Sequence, residues 1–173
     1  MLSKTTLNIV KSTAPVLAEH GEAITQRFYS QLFRAHPELK HIFNPAHQNG
    51  GAQSRALAES VFLYAQHIDR LEALGPLVNR IAHKHASVQV SPEHYPVVGL
   101  YLLKAIQEHL QLQPQDPILG AWAEAYDALA QIFIQTEETI YSQNAEQPGG
   151  WRGFRSFIVD RIEPEAEGIK SFY

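Results

Sequence analysis

From residue 3 to about residue 145 the apolar residues of this chain recur at helical spacing, interrupted only at proline- and glycine-bearing breaks. A period near 3.6 sustained over that length leaves no room for a sheet and predicts an all-α domain. SKTTLNIVKSTAPVLAEH reads as one amphipathic helix with Pro15 inside it as a kink or break. Gly21 then opens EAITQRFYSQLFRAH, whose apolar face carries Ile24, Phe28 and Leu32. Pro37 and HIFNPAHQNGG indicate a short helical piece and a loop. A helix of about 20 residues runs from Ala52 through SRALAESVFLYAQHIDRL, and GPLVNRIAHKHASV follows with Pro76 at a first-turn position. SPEHYPVVGLYLLKAIQEHL begins at the cap-like Ser91 and Pro92; DPILGAWAEAYDALAQIFIQTEETIYSQNA makes roughly seven to eight turns. After Pro148 the period is lost and short β-type runs appear around 163–168. Two strands alone are marginal in water. This tail therefore reads as the opening of a further β domain, with Tyr173 falling while a second hairpin strand is under way.

Composition removes several function classes. Hydrophobic residues are 45% and charged residues 18%, as in an ordinary globular chain, and the net charge of −4 offers no basic footprint for nucleic acid. With no cysteine there is no disulfide, thiolate zinc site, iron–sulfur cluster or thiol nucleophile. The first residues never gather the apolar run of a secretory signal, and nothing approaches a membrane span. A cytoplasmic monomer is expected.

The stretch NRIAHKHASVQV carries two histidines with one residue between them. At about 100° per residue, Leu74, Leu77, Val78, Ile81 and Ala82 share one apolar face. His85 falls near its middle, whereas His83 points about 160° away. One metal cannot be held by both on a continuous helix, where chelation wants a spacing of four. His83 is a solvated residue; His85 is an imidazole on a core face. The next helix puts Tyr95 in a stripe with Val98, Leu102 and Ile106. On the last helix Glu137 sits within the stripe Tyr126, Leu129, Ala130, Phe133, Ile140 and Tyr141, while Glu138 points about 100° aside. A carboxylate on a core face is costly unless paired or hydrogen-bonded. Two readings stand: a buried polar knot that fixes helix register, or a ligand histidine with orienting partners. A lone inward histidine in an all-helical chain, with Phe28, Tyr29, Phe43, Gln53 and Leu57 on the opposite side, suggests a haem pocket.

Residues 1 to about 150 resemble the globin domain of the bacterial flavohaemoglobins. The stretches that carry the likeness are PELKHIFN, IAHKH followed ten residues later by Tyr95, FIQTEETIY, and NAEQPGGW. The resemblance implies a globin fold over 1–147, with 148–173 as linker and first strands of a flavin-binding barrel. It implies one b-type haem with His85 as the iron ligand, Glu137 accepting from the other ring nitrogen and Tyr95 steadying the pair. Such an outer partner fixes the tautomer and raises ligand basicity. An oxygen-activating enzyme gains more from that than an oxygen carrier does. Tyr29 and Gln53 would act on the gas ligand, and Phe28, Phe43, Leu57 and Val98 would close a dry pocket. Phe43 resembles the phenylalanine that globins pack on haem, and Lys84 a lysine near the haem edge and flavin contact.

The family reaction is oxidation of nitric oxide to nitrate, with dioxygen, nitric oxide and carbon monoxide as ligands and a flavin reductase domain as electron donor. The FAD and NAD(P)H sites of that family would lie beyond Tyr173, so neither cofactor is expected on this chain. A non-catalytic oxygen-storage or gas-sensing globin is the alternative; it would lack Glu–His coupling.

Overall fold

The computed structural model describes residues 2–42 and 51–173; Phe43 lies outside them. Among the described residues six α-helices form: α1 Lys4–Ser12, α2 Ala14–Ala35, α3 Ala52–His67, α4 Gly75–Ser87, α5 His94–Leu110 and α6 Pro117–Glu146. Single 3-10 stretches at Pro37–Ile42 and Leu71–Leu74 follow α2 and precede α4. An antiparallel hairpin, β1 Ile162–Ala166 and β2 Ile169–Phe172, lies near the end. The chain divides into two compact units, Met1–Ile140 and Tyr141–Tyr173.

The first unit starts differently from the sequence expectation. The helical run beginning at Ser3 is broken at Thr13, and the second helix then passes straight through Gly21. Proline explains the first change. Inside one long helix Pro15 would remove a hydrogen bond, but in the first turn of α2 its missing N–H has no partner to lose. Thr13 closes the break: its hydroxyl donates to the Val10 carbonyl at 2.6 Å and accepts from Trp122 Nε1 at 3.2 Å. Gly21 is a contact residue and not a helix boundary. A Cβ there would lie 3.3 Å from the Ala58 Cβ, so the bare backbone lets α2 and α3 approach closely.

Other ends shift by a few residues. The helix expected from Ser91 begins at His94, whose Nδ1 accepts the Ser91 N–H at 3.0 Å. α3 stops at His67, and Pro76 does sit in the first turn of α4. In the second unit the second hairpin strand runs Ile169–Phe172: Glu167 and Gly168 make the connection, with Gly168 at φ +75°, and Tyr173 N–H donates to the Arg161 carbonyl at 2.9 Å. A register shift between Pro164 and Ala166 accommodates a proline that has no N–H for the ladder.

The core of the first unit is built from Val10, Leu17, Ile24, Phe28, Leu32, Val61, Ala105, Ile106, Trp122 and Ala125. Polar groups that enter it are satisfied across helices. Tyr64 of α3 donates to the Ala125 carbonyl of α6 at 2.7 Å, and Thr6 of α1 donates to Glu124 at 2.7 Å. No described helix is long and apolar enough to cross a membrane. Because the α2–α3 contact is already tight, Gly21→Val should destabilise the fold by about 1–3 kcal/mol through overpacking, read as a lower urea midpoint at unchanged slope.

Candidate functional site

Three helices deliver one polar cluster. His85 lies in the last turn of α4, Tyr95 in the first turn of α5, and Glu137 in the second half of α6. His85 Nδ1 is 2.7 Å from Glu137 Oε1, and the Tyr95 hydroxyl donates to the same oxygen at 2.6 Å. Nδ1 also stands 3.2 Å from the Tyr95 hydroxyl, so the three groups close a triangle. Glu137 is only 2% exposed. A carboxylate so buried needs donors, and here one oxygen receives two. It is acceptor-only when ionised, which assigns the Nδ1–H tautomer to His85. Nε2 then carries the lone pair, and no hydrogen bond among the described residues engages it. The His85 side chain is 32% exposed although its Nδ1 edge is sealed, and its ring packs 5.4 Å from that of Phe133. His83 and Lys84 are exposed.

The second group lies on α2, the first two turns of α3, and α5. Phe28 is 1% exposed, Tyr29 packs at 4.7 Å on its ring, and Leu57 and Val98 are half-buried against the same core. Burial pushes the Tyr29 phenol well above its ordinary value, and the Gln53 side-chain amide pulls in the other direction. Tyr29 is therefore a neutral O–H donor throughout the physiological range. The Gln53 Oε1 is buried and has no hydrogen-bond partner among the described residues. A buried amide oxygen thus stands beside a buried phenol.

Sequence reasoning missed two residues that set Tyr95. The Tyr126 hydroxyl donates to the Tyr95 carbonyl at 2.7 Å, and its ring lies over Gly99. A Cβ on Gly99 would stand 2.5 Å from the Tyr126 ring, closer than side chains pack, so only glycine admits the ring there. The signal was a glycine inside a helix interior, a position that costs about 1 kcal/mol without a packing reason. Burial, then the Asp127 charge, raises the Tyr126 phenol.

Three tyrosines are thus held above the ordinary value: Tyr29, Tyr126, and Tyr64, which burial pushes up to about 12. Above pH 10 the unfolded chain releases these protons and the folded chain keeps them, so stability falls as pH rises. The loss should begin near pH 10 and, for Tyr64, level off above about 12. Tyrosinate absorbance in a pH titration should accordingly show these three ionising only together with loss of helical circular dichroism.

The globin family model matches residues 26–133. The chain is 52% identical over 172 residues to the flavohemoprotein of Halalkalibacterium halodurans, covering 99% of this chain and 42% of that protein. It is similar in structure to an engineered carbene transferase made from a putative nitric oxide dioxygenase of Rhodothermus marinus. That match has a TM-score of 0.79 and 34% identity, over 84% of this chain and 100% of the other. It is similar too to the flavohemoglobin of Malassezia yamatoensis, solved with bound FAD and heme, with a TM-score of 0.74 and 36% identity over 83% of this chain and 38% of that one. The chain spans 42–44% of the length of the curated relatives it matches.

Proposed function

Since the chain belongs to the globin family, we propose that it is the haem half of a nitric oxide dioxygenase, with His85 as the residue that holds the iron through Nε2. The single observation that carries this reading is the 2.7 Å contact of His85 Nδ1 with a buried glutamate. Among the described residues no three potential ligands gather to hold a bare metal ion. A lone imidazole with one nitrogen sealed and the other open fits a metal whose remaining donors come with a macrocycle. When bound, haem supplies the iron at which dioxygen is activated and nitric oxide is oxidised to nitrate.

The chain's own groups then have distinct tasks. Glu137 draws the Nδ1 proton of His85 towards itself, giving the imidazole anionic character and greater basicity. Tyr95 donates to the same carboxylate oxygen and keeps it aligned, so the ring cannot rotate without breaking its bond to Glu137. Across the site the Tyr29 phenol and the Gln53 amide offer donors to a ligand on which negative charge develops. Phe28, Leu57 and Val98 exclude water, which strengthens those bonds and protects a reactive pair of gases. Phe43 belongs to the same proposed wall, and exposed Lys84 to the face that meets a flavin domain. An oxygen store has no need of the Glu137 coupling, which favours the enzyme over the carrier.

Flavin and nicotinamide belong to the reductase part of the longer relatives, and electrons would reach this chain from such a domain, in the cytoplasm. The domain division proposed is 1–147 for haem and 148–173 for the junction with a flavin barrel.

One haem should bind per chain. His85→Ala should lose most of it, whereas His83→Ala, altering an exposed ring, should retain the parent's haem content by pyridine haemochrome assay; equal loss in both would contradict the assignment. The reaction itself is tested by nitrate yield. The reduced, haem-loaded chain given dioxygen and nitric oxide should form about one nitrate per chain and stop, resuming when a flavin reductase and NADH are added. No nitrate in either phase would leave only a gas-binding role.

A further inference from the structure

The contact between α2 and α3 includes three pairs spaced one turn apart on α2. Gly21 meets Ala58, with 3.3 Å between a built Cβ and the Ala58 Cβ. One turn on, the Thr25 hydroxyl donates to the Ser54 carbonyl at 2.8 Å. One turn further, Tyr29 stands beside Gln53. Thr25 and Tyr29 are four residues apart and so share a face of α2, while Ser54 is the immediate neighbour of Gln53.

Among the described residues, the start of α3 has no side-chain cap. Its N-cap is Gly51 at φ +67°, which has no side chain to accept the first N–H groups. Gln53 is the second residue of that helix, in the turn most prone to fray. The Arg55–Glu22 ion pair also crosses the contact, at 3.5 Å, but its side chains are 57% and 46% exposed and water screens it. Thr25 is 2% exposed. Its one proton has three carbonyls in reach, those of Gly21 and Glu22 at 3.0 Å and that of Ser54 at 2.8 Å. The interhelical acceptor is the nearest.

We propose that Thr25 is a positioning residue: its buried hydroxyl pins the first turn of α3 to α2 and thereby sets the Gln53 amide against the Tyr29 phenol. This rests on the reading of Tyr29 and Gln53 as the groups that act on the gas ligand. The hydroxyl touches neither ligand nor cofactor; it acts through the Ser54 carbonyl on the residue next to it. Packing alone does not achieve this, because an apolar side chain of the same shape fills the space without fixing helix α3 along its axis.

The test is the infrared C–O stretch of carbon monoxide bound to the ferrous, haem-loaded chain, since that band senses nearby donors and not global stability. Thr25→Val keeps the β-branched shape and deletes the donor. It should shift or split the band and speed dioxygen release roughly two- to tenfold, the range for one neutral hydrogen bond. Thr25→Ser keeps the hydroxyl and should restore the parent band. Tyr29→Phe and Gln53→Leu calibrate the probe. If both move the band and Thr25→Val leaves it at the parent position, the pin does not exist. If Thr25→Ser shifts it as far as Thr25→Val, the methyl group matters and the proposal also fails. If none of the four variants moves the band, the assignment of Tyr29 and Gln53 is itself wrong and the role of Thr25 goes with it. Should Thr25→Val not fold, Thr25→Ala carries the same comparison.

Discussion

One buried carboxylate organises the site. Glu137 is almost wholly removed from water, and its Oε1 accepts from an imidazole and a phenol contributed by two other helices. Removing one partner from a buried, hydrogen-bonded charge typically costs about 3–5 kcal/mol, whereas the intact pair adds little net stability. Such a group is therefore better understood as a device for specificity. It fixes which nitrogen of His85 carries the proton, which way the ring faces, and how α4, α5 and α6 stand relative to one another. On the proposed function, the bond that locks the helices is also the one that would alter the electron supply of the ring.

Supports for that contact are layered. Tyr95 does not stand alone: Tyr126 donates to its carbonyl, and Gly99 leaves room for the Tyr126 ring. On the other side the α2–α3 interface is equally graded, with Gly21 setting the distance and Thr25 the axial register. In both places a glycine inside a helix gives up intrinsic helix propensity for close approach. Each polar group is then positioned by a neighbour that has no direct role. Tight placement of this kind matters because hydrogen-bond strength falls steeply when an angle or distance is lost.

Much of this was legible from residue spacing, and the exceptions have physical causes. A rotation of about 100° per residue separates exposed His83 from half-buried His85 and buried Glu137 from exposed Glu138, because side-chain direction on a helix is local geometry. The long helices and the β-type tail followed from periodicity for the same reason. At Pro15 kink and break both stay open in the sequence, because a lone sequence cannot distinguish a proline inside a helix from one in a first turn; the Thr13 break that decides it is held by Trp122, far along the chain. Gly21 looked like a boundary, yet its reason for being glycine lies on another helix. Thr25 gave no signal at all, since its partner is a backbone carbonyl 29 residues away and any residue could supply that. Long-range contacts with the main chain leave no pattern in side-chain identities.

On the proposed function, the Glu137–His85 bond tunes the imidazole electronically in addition to holding it. Resonance Raman of the ferrous, haem-loaded chain measures this through the iron–histidine stretch. Glu137→Gln preserves size and hydrogen bonding and removes the charge; Glu138→Gln, on the exposed face, is the matched control. The account predicts a lower stretching frequency and a higher reduction potential for Glu137→Gln at unchanged haem content, with Glu138→Gln indistinguishable from the parent. Coincident spectra and potentials for all three proteins would contradict it and leave Glu137 as a purely architectural residue.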